Sequence, residues 1–214
     1  MSNTIIKICG LSTLETLSAA IDAGTDWVGL VTFPPSPRHV APKDAKPLAD
    51  FARGKAKIVS LSVNADDQLL DDIMAHVNPD IWQFHGKETA ERVAEVKTRY
   101  GRPVMKAVGV STIEDLVKVT PYHGVADCLL LDAKPPKDAV LPGGNGAAFD
   151  WTILDHLPAD IEFMLSGGLS VETVADAVCS TRAFGMDVSS GVESQAGIKD
   201  VALIKRFIEN ARAV

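Results

Sequence analysis

The 214-residue chain has the length of one larger domain, and its 46% hydrophobic and 23% charged residues are ordinary for a globular protein. Its net charge of -7 argues against nucleic acid as a main partner, because nucleic-acid binding normally needs a basic face. No apolar stretch approaches the roughly 20 residues that span a bilayer, so we expect no association with a membrane.

Segments typical of strands alternate with segments typical of helices along the whole chain. The strand segments are mostly continuous apolar runs, as expected for parallel strands that helices cover. In chain order they read TIIKIC, WVGLV, AKIVSLSV, DIWQFH, PVMKAVGV, DCLLLD, IEFMLS and AFGMDVS. Each is followed by a segment with helical character, so the sequence contains eight strand-then-helix units.

Two residue pairs have the spacing of a capping box, which marks the start of a helix. Ser12 with Glu15 predicts a helix from about Ser12, and Ser111 with Glu114 predicts one after the fifth strand. Eight units in about 210 residues predict an α/β protein with a single parallel, eight-stranded (β/α)8 TIM barrel over residues 1–214. The alternative is a doubly wound open sheet, which often carries a GxGxxG motif after its first strand. Here a single glycine, Gly10, follows that strand.

Active sites of such barrels lie at the C-terminal ends of the strands, so we expect the functional residues there. The strands themselves are apolar, but polar residues close many of them. These residues are Cys9, Arg38 in the second loop, Gln83, His85, Asp132, Ser166 and Asp187.

Three glycine-rich segments predict a phosphate site. SGGL at 166–169 and SSGVE at 189–193 follow strands 7 and 8, where this fold commonly binds phosphate, and PGGNGAAFDW at 142–151 closes the loop after strand 6. Glycine lets backbone N–H groups approach phosphate oxygens without a Cβ in the way. The expected phosphate contacts are Gly144, Gly146, Gly167, Gly168, Ser190 and Gly191.

Seven motifs, in this order, resemble those of the phosphoribosylanthranilate isomerases. They are KICG at 7–10, SPR at 36–38, QFHG at 83–86, LLLDAK at 129–134, GGNGAAFDW at 143–151, LSGGL at 165–169 and DVSSGVE at 187–193. The resemblance covers essentially the whole chain. It departs from the family pattern at Phe84, at Asn145 and at Pro35, which stands where a lysine is expected before SPR.

The resemblance implies an Amadori rearrangement in tryptophan biosynthesis, in which a phosphorylated aminosugar, N-(5-phosphoribosyl)anthranilate, becomes an aminoketose by acid–base catalysis. It implies that Cys9 is the base and Asp132 the acid, and that neither a metal nor a cofactor takes part. It makes Arg38 the expected partner of the anthranilate carboxylate. For His85 two roles stay open, as a substrate neighbour or as a structural histidine at a strand end.

Charges near Cys9 are expected to help its ionisation. Cys9 lies just before the first helix, whose dipole favours an anion, and Lys7 has the same strand parity, so its ammonium group also points into the barrel. Asp187 either orients the substrate or pairs with Lys7.

The other two cysteines, Cys128 and Cys179, are expected to be structural. Three widely spaced cysteines fit no metal-ligand pattern and suggest free thiols in a reducing cytoplasm. A closed barrel buries its own edges, so a monomer is expected, with a dimer as the alternative. Two rival functions stay open: another phosphate-binding barrel enzyme, and a barrel that binds phosphosugars without turnover.

Overall fold

The computed structural model of the protein describes residues 4–134 and 149–214. Eight parallel strands close into a barrel, in which each strand pairs with the next in the chain and the eighth pairs with the first. The strands are β1 (Ile5–Cys9), β2 (Trp27–Thr32), β3 (Lys57–Ser62), β4 (Ile81–Phe84), β5 (Val104–Val110), β6 (Cys128–Ala133), β7 (Phe163–Leu165) and β8 (Gly185–Val188). The predicted parallel (β/α)8 TIM barrel is confirmed.

Helices connect the strands. They are α1 (Leu14–Asp22), α2 (Pro42–Ala52), α3 (Asp67–His76), α4 (Ala90–Tyr100), α5 (Val174–Ser180) and α6 (Val201–Arg212). Helices α3, α4 and α6 follow Asp66, Thr89 and Asp200, and each of these side chains accepts a hydrogen bond from the backbone N–H three residues later. Such a cap satisfies one of the donors that the first helical turn leaves without a partner.

Both predicted capping boxes are wrong in detail. Helix α1 is capped by Thr13, whose hydroxyl accepts from the N–H of Thr16, so the cap lies one residue later than predicted. After β5 the chain forms a 3-10 helix, Ile113–Tyr122, in place of an α-helix. Ser111 is held there by Asp115, which accepts hydrogen bonds from its N–H and its hydroxyl. A second 3-10 helix, Trp151–His156, precedes β7.

Strand parity separates two layers of side chains. One set of alternating residues packs between the strands and the helices. The other set fills the barrel interior and comprises Trp27, Val59, Ile81, Met105, Ala107, Leu130 and Met164. Two residues further along β4 and β6, the same inward parity brings Gln83 and Asp132 above this apolar floor. Polar groups therefore lie above this apolar layer, at the C-terminal mouth of the barrel.

A small hairpin, absent from the predicted pattern, follows β8. A 3-10 turn, Ser190–Val192, leads into β9 (Glu193–Gln195), which pairs antiparallel with β10 (Ile198–Lys199). None of the described helices is long and apolar enough to cross a membrane.

Candidate active site

Cys9 is the last residue of β1 and is buried in a small apolar cluster with Val31 and Leu61. The neighbouring strand β2 makes room for it at Gly29. A Cβ at that position would lie 2.8 Å from the Sγ of Cys9 and 2.9 Å from its Cα. Any side chain at 29 would therefore displace the thiol, so the glycine fixes where the sulfur lies.

Lys7 and Asp187 form a buried ion pair next to Cys9. The Nζ of Lys7 donates to the Oδ1 of Asp187 at 2.7 Å, and both side chains are almost fully shielded from solvent. Of the two roles predicted for Asp187, the structure shows the pairing with Lys7. The pair spans β1 and β8, the two strands that close the barrel.

Burial raises the pKa of the Cys9 thiol above its usual value of 9.0. The positive charges of Lys7 and Lys199 act in the opposite direction, while Asp187 adds to the rise. The expected help from Lys7 is present, but desolvation outweighs it. The thiol, and not the thiolate, is therefore the resting form at neutral pH.

Arg38, in the loop after β2, packs against Gly10, the residue after Cys9: a Cβ at Gly10 would lie 2.6 Å from its Cδ. Its guanidinium is bound by a carboxylate that the sequence did not single out. Its Nε donates to the Oε1 of Glu193 at 2.7 Å and its Nη2 to the Oε2 at 2.8 Å. The Nζ of Lys199 donates to the same Oε1 at 2.6 Å. The two cations lower the pKa of Glu193, although burial opposes them. The hairpin thus holds the guanidinium plane in one orientation.

Asp132 and His85 meet at the mouth of β4 and β6. The Nε2 of His85 lies 3.2 Å from the Oδ2 of Asp132, and the Nδ1 of His85 lies 3.3 Å from the Nε2 of Gln83. Gln83 is fully buried, and its Oε1 has no hydrogen-bond partner among the described residues. The order glutamine–histidine–aspartate places the imidazole between a fixed amide and the proposed acid, which orients the carboxyl group.

The loops after β7 and β8 lie against each other. Gly167 and Gly168 have φ angles of 84° and 69°, which favour glycine. A Cβ at Gly191 would lie 1.9 Å from the carbonyl oxygen of Leu169, so the two loops touch at their backbones. Ser190 begins the single 3-10 turn that follows β8. The predicted contacts Gly144 and Gly146 lie outside the described residues.

Glu193 and Lys199 are the site residues that sequence reasoning missed. Glu193 is the last residue of the DVSSGVE motif, but its position there does not indicate that it pairs with Arg38 in the loop after β2. Lys199 follows six residues later in a stretch without a distinctive pattern. Only the folded hairpin brings both beside Arg38. No group of His, Cys, Asp or Glu side chains in the described ranges could hold a metal ion.

This chain is similar to known isomerases in sequence. The family model described as N-(5'phosphoribosyl)anthranilate (PRA) isomerase matches residues 6–210. An N-(5'-phosphoribosyl)anthranilate isomerase of Bradyrhizobium diazoefficiens is 54% identical over 209 residues, which is 98% of this chain and 94% of the relative.

Solved structures agree with the sequence match. Phosphoribosyl anthranilate isomerase from Thermotoga maritima superposes with a TM-score of 0.87 at 34% identity, covering 99% of this chain and 100% of that one. A phosphoribosyl anthranilate isomerase in complex with reduced 1-(o-carboxyphenylamino)-1-deoxyribulose 5-phosphate gives a TM-score of 0.85 at 33% identity and the same coverage. The chain therefore belongs to the N-(5'-phosphoribosyl)anthranilate isomerase family.

Proposed function

We propose that this chain converts N-(5'-phosphoribosyl)anthranilate into 1-(o-carboxyphenylamino)-1-deoxyribulose 5-phosphate, a step of tryptophan biosynthesis, with Cys9 as the base and Asp132 as the acid. The observation that supports these roles is a buried thiol and a buried carboxyl at the C-terminal ends of β1 and β6. These strands are three places apart around the closed barrel. A substrate over the mouth of the barrel can therefore meet the two groups from different sides.

The reaction needs only proton transfers. Asp132 protonates the ring oxygen of the furanose, the C1'–O bond breaks, and the nitrogen lone pair forms a cationic Schiff base with C1'. Cys9 then removes the proton from C2', and the electron pair of that C–H bond forms the C1'–C2' double bond of an enolamine. The enolamine becomes the ketone when the C2' hydroxyl loses its proton and C1' gains one. Substrate and product therefore have the same atoms, and no redox step is required.

The raised pKa of Cys9 sets the timing of its ionisation. Ionising an ordinary cysteine at pH 7 already costs about 2–3 kcal/mol, and burial increases that cost. The Schiff base carries a positive charge in the step in which Cys9 acts, and that charge favours the thiolate beside it. A thiolate of raised pKa is also the stronger base. Cys9 thus acts as a base mainly once the ring has opened.

The remaining groups hold the two ends of the substrate. The buried guanidinium of Arg38 suits a planar carboxylate, so it is assigned to the anthranilate ring. The loops that contain Gly167, Gly168, Ser190 and Gly191 are assigned to the phosphate, with Gly144 and Gly146 as further predicted contacts. His85 is assigned to orienting Asp132 at the substrate, as its 3.2 Å contact supports. Asp187 is assigned the role of pairing with Lys7.

Turnover of freshly prepared N-(5'-phosphoribosyl)anthranilate, followed by the change in anthranilate fluorescence, tests this function. We expect a rapid enzyme-dependent change that survives EDTA, because the proposed steps use no metal. A Cys9→Ala/Asp132→Asn double variant gives the background rate. Substrate binding without any change above that background would favour a phosphosugar-binding barrel, and loss of activity on chelation would contradict the proposed chemistry.

The oligomeric state and the location stay predictions. We infer a monomer because every barrel strand is paired on both edges, and sedimentation at micromolar concentration measures this directly. The free thiols of Cys9, Cys128 and Cys179 support the predicted cytoplasmic location.

A further inference from the structure

A buried lysine of the hairpin is linked to the backbone of Cys9. The Nζ of Lys199 donates to the carbonyl oxygen of Ser189 at 2.8 Å and contacts the Ser189 hydroxyl at 3.1 Å. That hydroxyl donates to the carbonyl oxygen of Cys9 at 3.0 Å. The Lys199 side chain is only 1% exposed. A continuous hydrogen-bonded chain therefore runs from the ammonium group to the residue that carries the thiol.

The charges around Cys9 do not cancel. The charged groups that face this region come from β1, β8, the loop after β2 and the two hairpin strands. They are Lys7, Asp187, Arg38, Glu193 and Lys199. Lys7 pairs with Asp187, and among the described residues the Glu193 carboxylate contacts both Arg38 and Lys199. With all five ionised, this set carries one unbalanced positive charge.

We propose that Lys199 is a positioning residue whose ammonium group supplies the positive charge that keeps the Cys9 thiolate accessible in a buried site. The proposal rests on the function proposed above, in which Cys9 is the base. Burial lowers the pKa of Lys199 from its usual 10.5, and the ion pair with Glu193 opposes that effect and so favours the charged form. An opposite charge within about 4–6 Å shifts a pKa by about 1–3 units. Lys7 also favours the thiolate, but Asp187 partly offsets it, and Lys199 adds a second positive charge.

The geometry of the hairpin keeps the ammonium group in place. Glu193 begins β9 and Lys199 ends β10, so the antiparallel pairing of the two strands sets their separation. The N–H of Gly197 in the turn donates to the Oε2 of Glu193 at 3.1 Å. The same carboxylate clamps Arg38. Lys199 is therefore held by main-chain structure as well as by its own hydrogen bonds, which limits its movement relative to Cys9.

The test measures the ionisation of Cys9 without using turnover. In a Cys128→Ala/Cys179→Ser background, the rate of Cys9 alkylation by iodoacetamide is followed against pH by mass spectrometry. Lys199→Met and Lys199→Gln should both move the midpoint to higher pH by about one unit, because both remove the charge. Glutamine retains a hydrogen-bond donor for Ser189, so a shift in this variant separates charge from tethering. Lys199→Arg keeps the charge and should leave the midpoint within a few tenths of a unit.

Kinetics provide the second readout. The rising limb of the kcat–pH profile should move in the same direction in Lys199→Gln, with KM changed less than twofold. Near-ultraviolet circular dichroism establishes that each variant is folded, and Lys199→Gln decides the outcome where Lys199→Met does not fold. An alkylation midpoint in Lys199→Gln equal to that of the parent would overturn the proposal. A shifted midpoint in a protein whose Cys9→Ala variant keeps its turnover would instead refute Cys9 as the base and leave the role of Lys199 standing.

Discussion

The two sides of the barrel mouth hold their reactive groups by different means. On the Cys9 side, the charged side chains of the hairpin and of the loop after β2 are buried: Lys199 is 1% exposed, Glu193 3% and Arg38 6%. On the Asp132 side, the loops are tied from outside by Asp115, whose lysine partners Lys118 and Lys134 are about half exposed, at 49% and 50%.

This difference separates a rigid side from a responsive one. Buried ion pairs are expensive to break and are little affected by salt, because solvent ions do not reach them. Exposed ion pairs are each worth about 0–1 kcal/mol and are screened. The base therefore lies among buried ion pairs. On the acid side Lys106 and Glu88 form a buried pair as well, but the lysine partners of Asp115 are exposed, so the pairs of Asp115 depend on ionic strength.

The largest expected effect on turnover follows from removing a proton-transfer group, on either side. Cys9→Ala and Asp132→Asn should each lower kcat by about 10²–10⁴-fold with a modest change in KM, because the lost interaction matters mainly in the transition state. Cys9→Ser should be nearly as poor as alanine, since a hydroxyl is far less acidic than a thiol. Steady-state kinetics measure both constants.

The matched control for these variants is Cys128→Ala. Cys128 is the first residue of β6 and therefore lies at the end of the barrel opposite the mouth, away from the substrate, and desolvation raises the pKa of its thiol to about 12. It should retain the parent kcat. A Cys9→Ala variant that keeps more than about a tenth of the parent kcat would show that another group removes the C2' proton.

The next largest effect is expected from removing the guanidinium of Arg38, which lies on the Cys9 side. Arg38→Ala should raise KM about 10–100-fold, because charge-assisted hydrogen bonds are worth about 1.5–3 kcal/mol. The effect on kcat should be smaller, since the carboxylate is remote from the bonds that change. Arg53→Ala is the control: its guanidinium caps the carbonyl oxygens of Val77 and Asn78 instead. An Arg38→Ala variant with the parent KM would remove Arg38 from the substrate site.

The phosphate loops lie between the two sides, and a single methyl group tests them. Gly191→Ala would place a Cβ 1.9 Å from the carbonyl oxygen of Leu169, so the loop must shift and its N–H groups move with it. We expect KM and the inhibition constant for inorganic phosphate to rise together, by about tenfold, with kcat less affected.

Gly124→Ala is the control for this substitution. A Cβ there meets nothing within 4 Å, although the φ of 74° makes any side chain strained. It should lower the free energy of unfolding by about 1 kcal/mol and leave KM unchanged. A Gly191→Ala protein with the parent KM and phosphate inhibition would show that the phosphate binds elsewhere.

Much of the fold could be predicted because it rests on local patterns. Runs such as LLLD in β6 are continuous and apolar, and their alternation with helices in a chain of 214 residues predicts the closed barrel. The helix ends were less predictable. Ser12 and Thr13 are both good caps, and the choice between them depends on backbone angles that the sequence does not reveal. The 3-10 helix after β5 likewise depends on how Asp115 holds Ser111.

The strand-end residues of the site could be predicted, and their partners could not. Cys9 and Asp132 follow from strand position and from the motifs. The contact between His85 and Asp132 requires the register of β4 to β6, and the clamp of Glu193 on Arg38 joins residues 155 positions apart. The upward shift of the Cys9 pKa could not be predicted either. Burial is its largest cause, and the burial of Cys9 is known only once the strands have closed into a barrel.

The smallest expected effect is on stability, and it acts on the responsive side. Asp115 accepts hydrogen bonds from the N–H and hydroxyl of Ser111 at 3.0 Å, and from Lys118 at 2.6 Å and Lys134 at 3.1 Å. Burial raises the pKa of the Asp115 carboxyl, but these hydrogen bonds prevail and hold it well below the usual 3.8. Asp115→Asn should cost about 1–2 kcal/mol of unfolding free energy at pH 7, because the donor residues Ser111, Lys118 and Lys134 are all exposed.

The sign of the pH dependence makes this prediction testable. A carboxyl whose pKa is lowered by folding stabilises the folded state above its unfolded pKa, and that contribution is lost as the pH falls through the folded value. The difference between Asp115→Asn and the parent should therefore be constant from pH 5 to 8 and shrink below about pH 4. Asp160→Asn, at a carboxylate 69% exposed, is the matched control and should change stability by less than about 0.5 kcal/mol. Urea unfolding at several pH values measures both, and an undiminished difference for Asp115→Asn at pH 3 would mean that the carboxylate charge is not what supports the loops around Asp132.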